Sequence, residues 1–450
     1  MIPSSEFTDR VAKLAARLRA EGAGAYVGTR QAALHYLGGV FMPWRGAVVV
    51  TRDGHCEIVY WAMDSERVRA EGCAQPVTDF TGSALVEAVA GILSRTGVDR
   101  LAVGLDIEHP GAAQVAPGML TAGEFLAFGR ALPQARLVNG VDWIDDLMLI
   151  KSPAEIALLR KAAEVAAAGY EAGVAAVAEG VTENHVAGVV EAAIRDAGSS
   201  WAWAVTGGTE VGAGGRTAFA RGVTQQATDA VIRRGEFVVI DLHSMVGVYL
   251  SDLSLPVFLG PPDAEQKALA DCWEDVASTM LAALRPGRAV KDCVAEGRAV
   301  FARHGLAEHG LPLFGHGLGT CARTRPFLNL ASTDTVQEGM VVALGTHLYR
   351  PGVGACASNT PPWSPRPARQ GSAGSPRRCA PCPERARPFA ARLSPRSGRG
   401  VRRAKDRHAR RWRWKRSRVP RTILSRTRSD GCGPRGGPRL ESHPGDAPTG

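Results

Sequence analysis

The amino-acid sequence changes character abruptly after about Gly354, and that break decides how much of the chain can fold around a core. Beyond it Arg, Pro, Ser and Gly dominate; over residues 361–450 Arg outnumbers Lys 22 to 2 and no hydrophobic period survives. Such a composition cannot bury enough apolar surface to offset the entropy of ordering, so residues 355–450 are expected to form a disordered basic tail. Residues 361–450 carry 24 Lys and Arg against 5 Asp and Glu, whereas the preceding residues carry 30 against 39. The formal charge of +10 is therefore a property of the tail, and the acidic body exerts no general pull on nucleic acid.

The body alternates helical and β-rich patterns. Val11, Leu14, Ala15 and Leu18 recur at helical spacing over residues 7–21, and Gly22 and Gly24 follow as stop signals. The runs AYVG, GAVVV and EIVYW then read as strands, SALVEAVAGILSR as a helix and LAVGLDI as a strand, which predicts an α/β domain over residues 1–147. In KSPAE, Ser152 can cap a helix, Pro153 needs no donor at its first position and Glu155 favours its positive end. A second domain, over residues 151–354, is expected to open there. Its pattern predicts a helix to about residue 179, a second capped by Thr182 and ending at Gly198, and the strands EFVVIDLH and VYLSDLSLPVFL. Helices over residues 263–284 and 290–304 follow, with β-like runs at 313–319 and 340–349.

The nine cysteines lie far apart, unlike the dense framework of a small secreted fold. MIPSSEFTDR has no apolar core or basic start, and no apolar run reaches ~18 residues. A cytoplasmic protein with no membrane association is expected.

Asp241 and Asp252 are the most informative pair. If the chain turns between Val246 and Gly247, the two lie directly opposite each other on antiparallel strands and share one face, with Cβ atoms roughly 5 Å apart. Carboxylates that close repel unless a cation sits between them, and hard oxygen donors suit Mn, Co or Zn. The competing reading makes one of them a turn or edge residue in a different register. His316, in FGHGLG, is a candidate nitrogen ligand beside the pair.

The order AALHYLGG, IKSPAEIALLRKAAEVA, VVIDLHSMVGVYLSDLS, GHGLG and EGMVVALGTHLY resembles the pita-bread superfamily of methionine aminopeptidases, Xaa-Pro aminopeptidases, prolidases, creatinase and ectoine hydrolase. The likeness covers roughly residues 8–354. It implies a creatinase-type α/β N-terminal domain followed by an α+β catalytic domain with a curved antiparallel sheet. It also implies a divalent metal ion held by an Asp, Asp, His, Glu, Glu set, of which Asp241, Asp252 and His316 match. The activity implied is hydrolysis of an amide next to a free amino end, often before proline, or of a related C–N bond. Peptide or small-amide substrates and a homodimer are expected on the same ground.

The chain departs from that pattern in four places. Gly345 stands where the first glutamate falls, a change that needs one base. The second glutamate belongs in the run GVGACASNTPPW, where the basic tail begins. Codons for residues 355–367 can be chosen that, read two bases further in, encode LRIEHTALVTET, which resembles the missing strand; a frameshift in a GC-rich gene is therefore the expected origin of the tail. Arg323 stands where relatives commonly carry a second histidine, and no histidine occurs between Val186 and Leu242. With three ligands left, a weak metal site and impaired activity are expected, not rescued by Gly345→Glu alone. A non-catalytic peptide- or protein-binding member of the fold, and a metal-free hydrolase like creatinase, are the alternatives.

Smaller signals remain. The run Arg411-Trp412-Arg413-Trp414-Lys415-Arg416 interleaves aromatics with cations as single-strand binding would require, but out-of-frame translation yields the same composition, so no nucleic-acid partner is expected. Cys379 and Cys382 form a CxxC with no partner pair at zinc-finger spacing. His243 shares a face with Asp241 and reads more naturally as a satisfied structural histidine than as a ligand. Trp201, Trp203 and Phe219 are candidates for a substrate pocket or for core packing.

Overall fold

A computed structural model describes residues 1–109, 118–200, 209–218, 226–321 and 323–360. The helix Ser4–Ala20 buries Phe7, Val11, Leu14, Ala15 and Leu18, the stripe its spacing predicted. A six-stranded sheet follows, built from β1 (Ala23–Gly28), β2 (Gly46–Thr51), β3 (Cys56–Trp61), β4 (Val77–Phe80), β5 (Ala102–Leu105) and β6 (Arg136–Asn139) in the order β4-β3-β2-β1-β5-β6. The strands read as continuous apolar runs because both faces are covered. Tyr26, Val48, Val50, Ile58 and Tyr60 pack on one side with Leu14, Leu18, Leu37 and Trp143. Ala25, Val27, Ala47, Val49 and Val59 pack on the other with Val89, Ile92, Leu93 and Phe128.

The helix Val141–Leu149 closes this half, and the helix Pro153–Ala176 opens the next. Its start is the expected capping box: Ser152 Oγ accepts from the Glu155 amide at 3.1 Å and the Glu155 carboxylate accepts from the Ser152 amide at 3.0 Å. Thr182 caps the helix Glu183–Asp196 through the His185 amide. A buried network ties the first helix to this junction. Arg10 donates to the Tyr36 carbonyl at 2.6 Å and to Tyr249 Oη at 3.0 Å, and lies 3.6 Å from Glu155. Ser152 Oγ in turn donates to Glu6 at 2.9 Å.

The second sheet comprises β7 (Glu210–Ala213), β8 (Phe237–Leu242), β11 (Leu253–Phe258), β12 (Gly315–Gly317), β13 (Thr324–Phe327), β14 (Val342–Arg350) and β15 (Gly354–Thr360), in the order β13-β12-β14-β15-β11-β8-β7 with every pairing antiparallel. Between β8 and β11 lies the hairpin β9 (Met245–Val246) and β10 (Tyr249–Leu250). Val238 and Ile240 pack on the two helices just described. Leu344, Leu348 and Cys356 pack on the helices Ala264–Ala283 and Val290–Arg303 through Cys272, Val276, Met280 and Val294. Helices thus cover one face of the sheet and leave the residues of opposite parity to face the other way.

Three expectations need correction. The run over residues 248–259 is not one strand: it breaks at Ser251 and Asp252, where the Ser251 amide bonds back to the Ser244 carbonyl at 2.9 Å. The tail does not begin at residue 355, because Ala355, Cys356, Ala357, Ser358 and Asn359 are all buried in β15. The composition signal failed there because six residues are too few to show a period beside a long Arg-rich run. The turn is also displaced. Val246 pairs with Tyr249 and Met245 with Leu250, so it is centred on Gly247 and Val248, both at positive φ (54° and 64°).

The remaining tail, with Cys379, Cys382 and residues 411–416, lies outside the described residues. No helix among the described residues is long and apolar enough to cross a membrane.

Candidate metal centre

With the turn displaced, Asp241 faces Ser254 rather than Asp252 across β8 and β11. The slip is of two residues, so parity is preserved and Asp252 remains on the same face as a diagonal neighbour of Asp241. Cross-strand partners run over that face in one line, Glu210 to Asp241 to Ser254 to Asn359 to Gly345. His316 pairs with Ala343, two residues from Gly345, and so joins them. The sequence-predicted trio Asp241, Asp252 and His316 is therefore assembled on one face, though not by the direct pairing expected.

The two glycines flanking His316 are required by strand spacing. A Cβ on Gly315 would lie 2.0 Å from the Ala343 carbonyl oxygen, and one on Gly317 would lie 2.1 Å from that of Arg325. The close approach holds the imidazole between β13 and β14. Its Nδ1 lies 3.0 Å from the Gly317 carbonyl oxygen, which can only accept, so Nδ1 carries the hydrogen. In the neutral ring, Nε2 then presents its lone pair 3.2 Å from Asp252 Oδ2. Fixing the tautomer from behind in this way is the usual preparation of a metal-binding histidine.

Donor atoms of Asp241, His243 and Asp252 all lie within 4.8 Å of one another. Asp252 is 0% exposed, and neither of its oxygens makes a hydrogen bond. Asp241 Oδ1 and both ring nitrogens of His243 are likewise buried without hydrogen-bond partners. Leaving one such group unmatched costs about 1–3 kcal/mol, so a cluster of them marks a place shaped for something else. The donor set fits a divalent cation. His243, expected as a satisfied structural histidine, stands with Nε2 3.4 Å from Asp252 Oδ2, an ion pair when the ring is protonated, and so lies among the donor atoms.

Electrostatics agree. Burial, with the neighbouring Asp252 adding to it, pushes the Asp241 carboxyl well above the ordinary range. Burial would raise Asp252 also, but His243 and His316 outweigh it and hold that carboxyl down. Burial opposes protonation of His243, yet Asp252 and Asp241 prevail and raise it to about 9. Without a cation, the pair of acids is thus kept apart in charge by borrowed protons.

Gly345 lies on the same face, at its expected place. A Cβ there would meet His347 Cε1 at 2.5 Å and Asn359 Oδ1 at 2.6 Å, so the space beside it is already taken. Of the run expected to hold the second glutamate, Asn359 reaches this face, while Ser358 turns to the helices and accepts from Trp273 Nε1 at 3.1 Å. Arg323, half-buried, adds positive charge that partly offsets the upward pull of Asp252 on His243 and adds to the effect of burial on His347.

Sequence reasoning missed Glu210, His347 and Asn359. His347 could have been found by strand parity from Gly345; Glu210 carried no signal, because its strand is four residues long and no motif marks it. Trp201, Trp203 and Phe219 lie outside the described residues.

Comparison with known proteins places these features in context. Residues 157–361 match the profile of metallopeptidase family M24, and residues 10–147 match the creatinase/prolidase N-terminal domain. The chain is 29% identical over 213 residues to the Xaa-Pro dipeptidase of Pyrococcus furiosus, covering 47% of this chain and 60% of that one. It is 30% identical to the Xaa-Pro dipeptidase of Pyrococcus horikoshii, covering 47% and 59% respectively. The chain thus spans about 60% of the length of these relatives. The crystal structure of the prolidase from Pyrococcus horikoshii OT3 superposes with a TM-score of 0.68 at 23% identity, over 78% of this chain and 94% of that one.

Proposed function

Because the chain belongs to the pita-bread M24 superfamily, with a creatinase/prolidase-type domain ahead of the metallopeptidase domain, we propose that it is a metal-dependent hydrolase of peptide or related C–N bonds, of the Xaa-Pro peptidase kind, with impaired catalysis. The observation that carries this reading is the convergence of Asp241, Asp252 and His316 on one sheet face, with Asp252 fully buried and its Oδ2 3.2 Å from His316 Nε2. These three residues hold a divalent ion, Mn, Co or Zn. When bound, such an ion supplies Lewis acidity, polarising the scissile carbonyl and making water a competent nucleophile near neutral pH.

The impairment follows from the residues beside it. A proton must pass from the attacking water to the leaving nitrogen, a task for a carboxylate within hydrogen-bond reach. Gly345 offers no side chain, and the carboxamide of Asn359 cannot take up a proton at neutral pH. The frameshift origin of the tail accounts for both the missing glutamate and the Arg-rich composition, and reading the codons of residues 355–367 at the locus tests it. The substrate is a peptide or small amide. A homodimer and a reducing, cytoplasmic compartment complete the reading.

Assay of the purified full chain, loaded in turn with Mn, Co and Zn, on Xaa-Pro dipeptides tests the proposal. Slow, metal-dependent cleavage abolished by Asp252→Asn is the expected result. Turnover as fast as that of an intact prolidase contradicts the impairment. Tight peptide binding with neither metal nor cleavage favours the non-catalytic alternative, which the filled space beside Gly345 supports.

A further inference from the structure

We infer that Arg323 is a specificity-determining residue of this site and selects substrates that place a carboxylate close to the scissile bond. The inference rests on the hydrolase reading above and deepens it by naming the chemical class of the substrate.

Strand geometry brings Arg323 to the site. Thr324 pairs with Gly317, which faces away from the side that His316 occupies, so Arg323, one residue earlier, falls on the side of His316. Its positive charge is accordingly felt at Asp241, His243, His347 and Tyr349, in and around the metal centre. The side chain is half-buried, and its Nε is enclosed without a hydrogen-bond partner. Among the described residues no carboxylate forms an ion pair with it. Arg10, Arg30 and Arg325, the other arginines drawn into the interior, each hold one: Glu155 at 3.6 Å, Asp106 at 3.2 Å and Asp334 at 2.6 Å.

The acids of this face are committed elsewhere. Asp241 and Asp252 are donors to the cation in the reading above, and Glu210 has a partner of its own. A charge drawn out of water and left unpaired is costly, so Arg323 stands where a counter-ion from outside the chain completes it. The residue type narrows what that counter-ion is. A guanidinium only donates and stays charged, so it cannot relay the proton that a histidine here would; its fork matches the two oxygens of a carboxylate. A C-terminus next to the scissile bond and an acidic side chain beside it present the same two oxygens, from different places.

Calorimetric titration of the full chain, metal-free and zinc-loaded, with three probes tests the inference: alanyl-proline, alanyl-prolinamide, and alanyl-aspartic acid α-amide, which moves the carboxylate to the side chain. At least one acid should bind wild type about tenfold to a hundredfold more tightly than alanyl-prolinamide, the scale of a charge-assisted pair, and the tighter acid identifies the source. Arg323→Gln should erase that preference by weakening the acid while leaving the amide within about twofold. Arg323→Lys, which keeps the charge and loses the fork, should retain part of it. Equal binding of acids and amide by wild type, binding of none of the three, or an equal loss for all three in Arg323→Gln overturns the inference. Zinc uptake measured on the same samples separates the two readings: a preference for acids without zinc uptake leaves the role of Arg323 standing and removes the metal.

Discussion

The imidazole of His347 lies against the Cα of Gly345, so that a Cβ at position 345 would stand 2.5 Å from His347 Cε1 and 3.1 Å from Nδ1. The position where relatives are expected to carry a glutamate is thus not merely empty of a side chain. Its volume is occupied by the residue two places along the same strand.

Restoring the acid at that position is therefore expected to fail. Gly345→Glu must displace His347 and the Asn359 carboxamide and places a third carboxylate near Asp252, costing about 1–3 kcal/mol by overpacking alone. Thermal denaturation of the metal-free variant should show the loss, and peptidase assays should show no gain. The double variant Gly345→Glu with His347→Gly relieves the contact and should recover most of the stability; equal destabilisation in both variants would exclude the His347 contact as the cause.

His35 predicts a loss of stability in acid. Its Nε2 accepts from the Met42 amide at 3.0 Å, and its Nδ1 faces the Thr320 carbonyl oxygen at 3.3 Å, which fixes the neutral ring across the two halves of the chain. Burial lowers its pKa from 6.5 to about 4, the two backbone contacts offsetting part of the effect. The folded value lies below the unfolded one, so the contribution is fully present above pH 6.5 and is lost as pH falls through 4. The shift corresponds to about 3 kcal/mol. Unfolding midpoints in urea across that range should fall for the wild type and fall less for His35→Gln, the remainder including His347, which burial also lowers to about 4. Identical slopes in the two proteins would remove His35 from the account.

Arg10 is expected to be a stability residue. It is 3% exposed and bridges Glu6, Glu155, Tyr36 and Tyr249. Arg10→Met removes the cation and leaves the buried Glu155 uncompensated, at a cost of about 3–5 kcal/mol. Calorimetry should find a lowered unfolding temperature; the double variant Arg10→Met with Glu155→Gln should regain part of it.

The fold was legible where local signals and burial agree. The stripe from Val11 to Leu18, the Ser152-Pro153-Glu155 cap and the apolar strands around Val48 and Val59 each have one stable solution, and the structure adopts it. The Asp241 and Asp252 pair was legible because side-chain parity survives a two-residue slip, although the register itself did not. Turn chemistry misled there: Gly247 marks the turn, but nothing in the sequence announces that Val248 also takes positive φ, a conformation β-branched residues rarely adopt. The meeting of His243 with Asp252 has no signal in its sequence neighbours, because it depends on the pairing of β8 with β11. Glu210 was invisible for the same reason, since its meeting with Asp241 depends on a pairing with no local signature.

Thermal unfolding of the full chain with and without zinc measures directly whether Asp241, Asp252 and His316 hold a cation. An ion present at 100 times its dissociation constant stabilises the folded state by about 2.7 kcal/mol. The prediction is a zinc-dependent rise in the unfolding temperature of the wild type that disappears in Asp252→Asn. No rise in the wild type, or the same rise in both proteins, would contradict it.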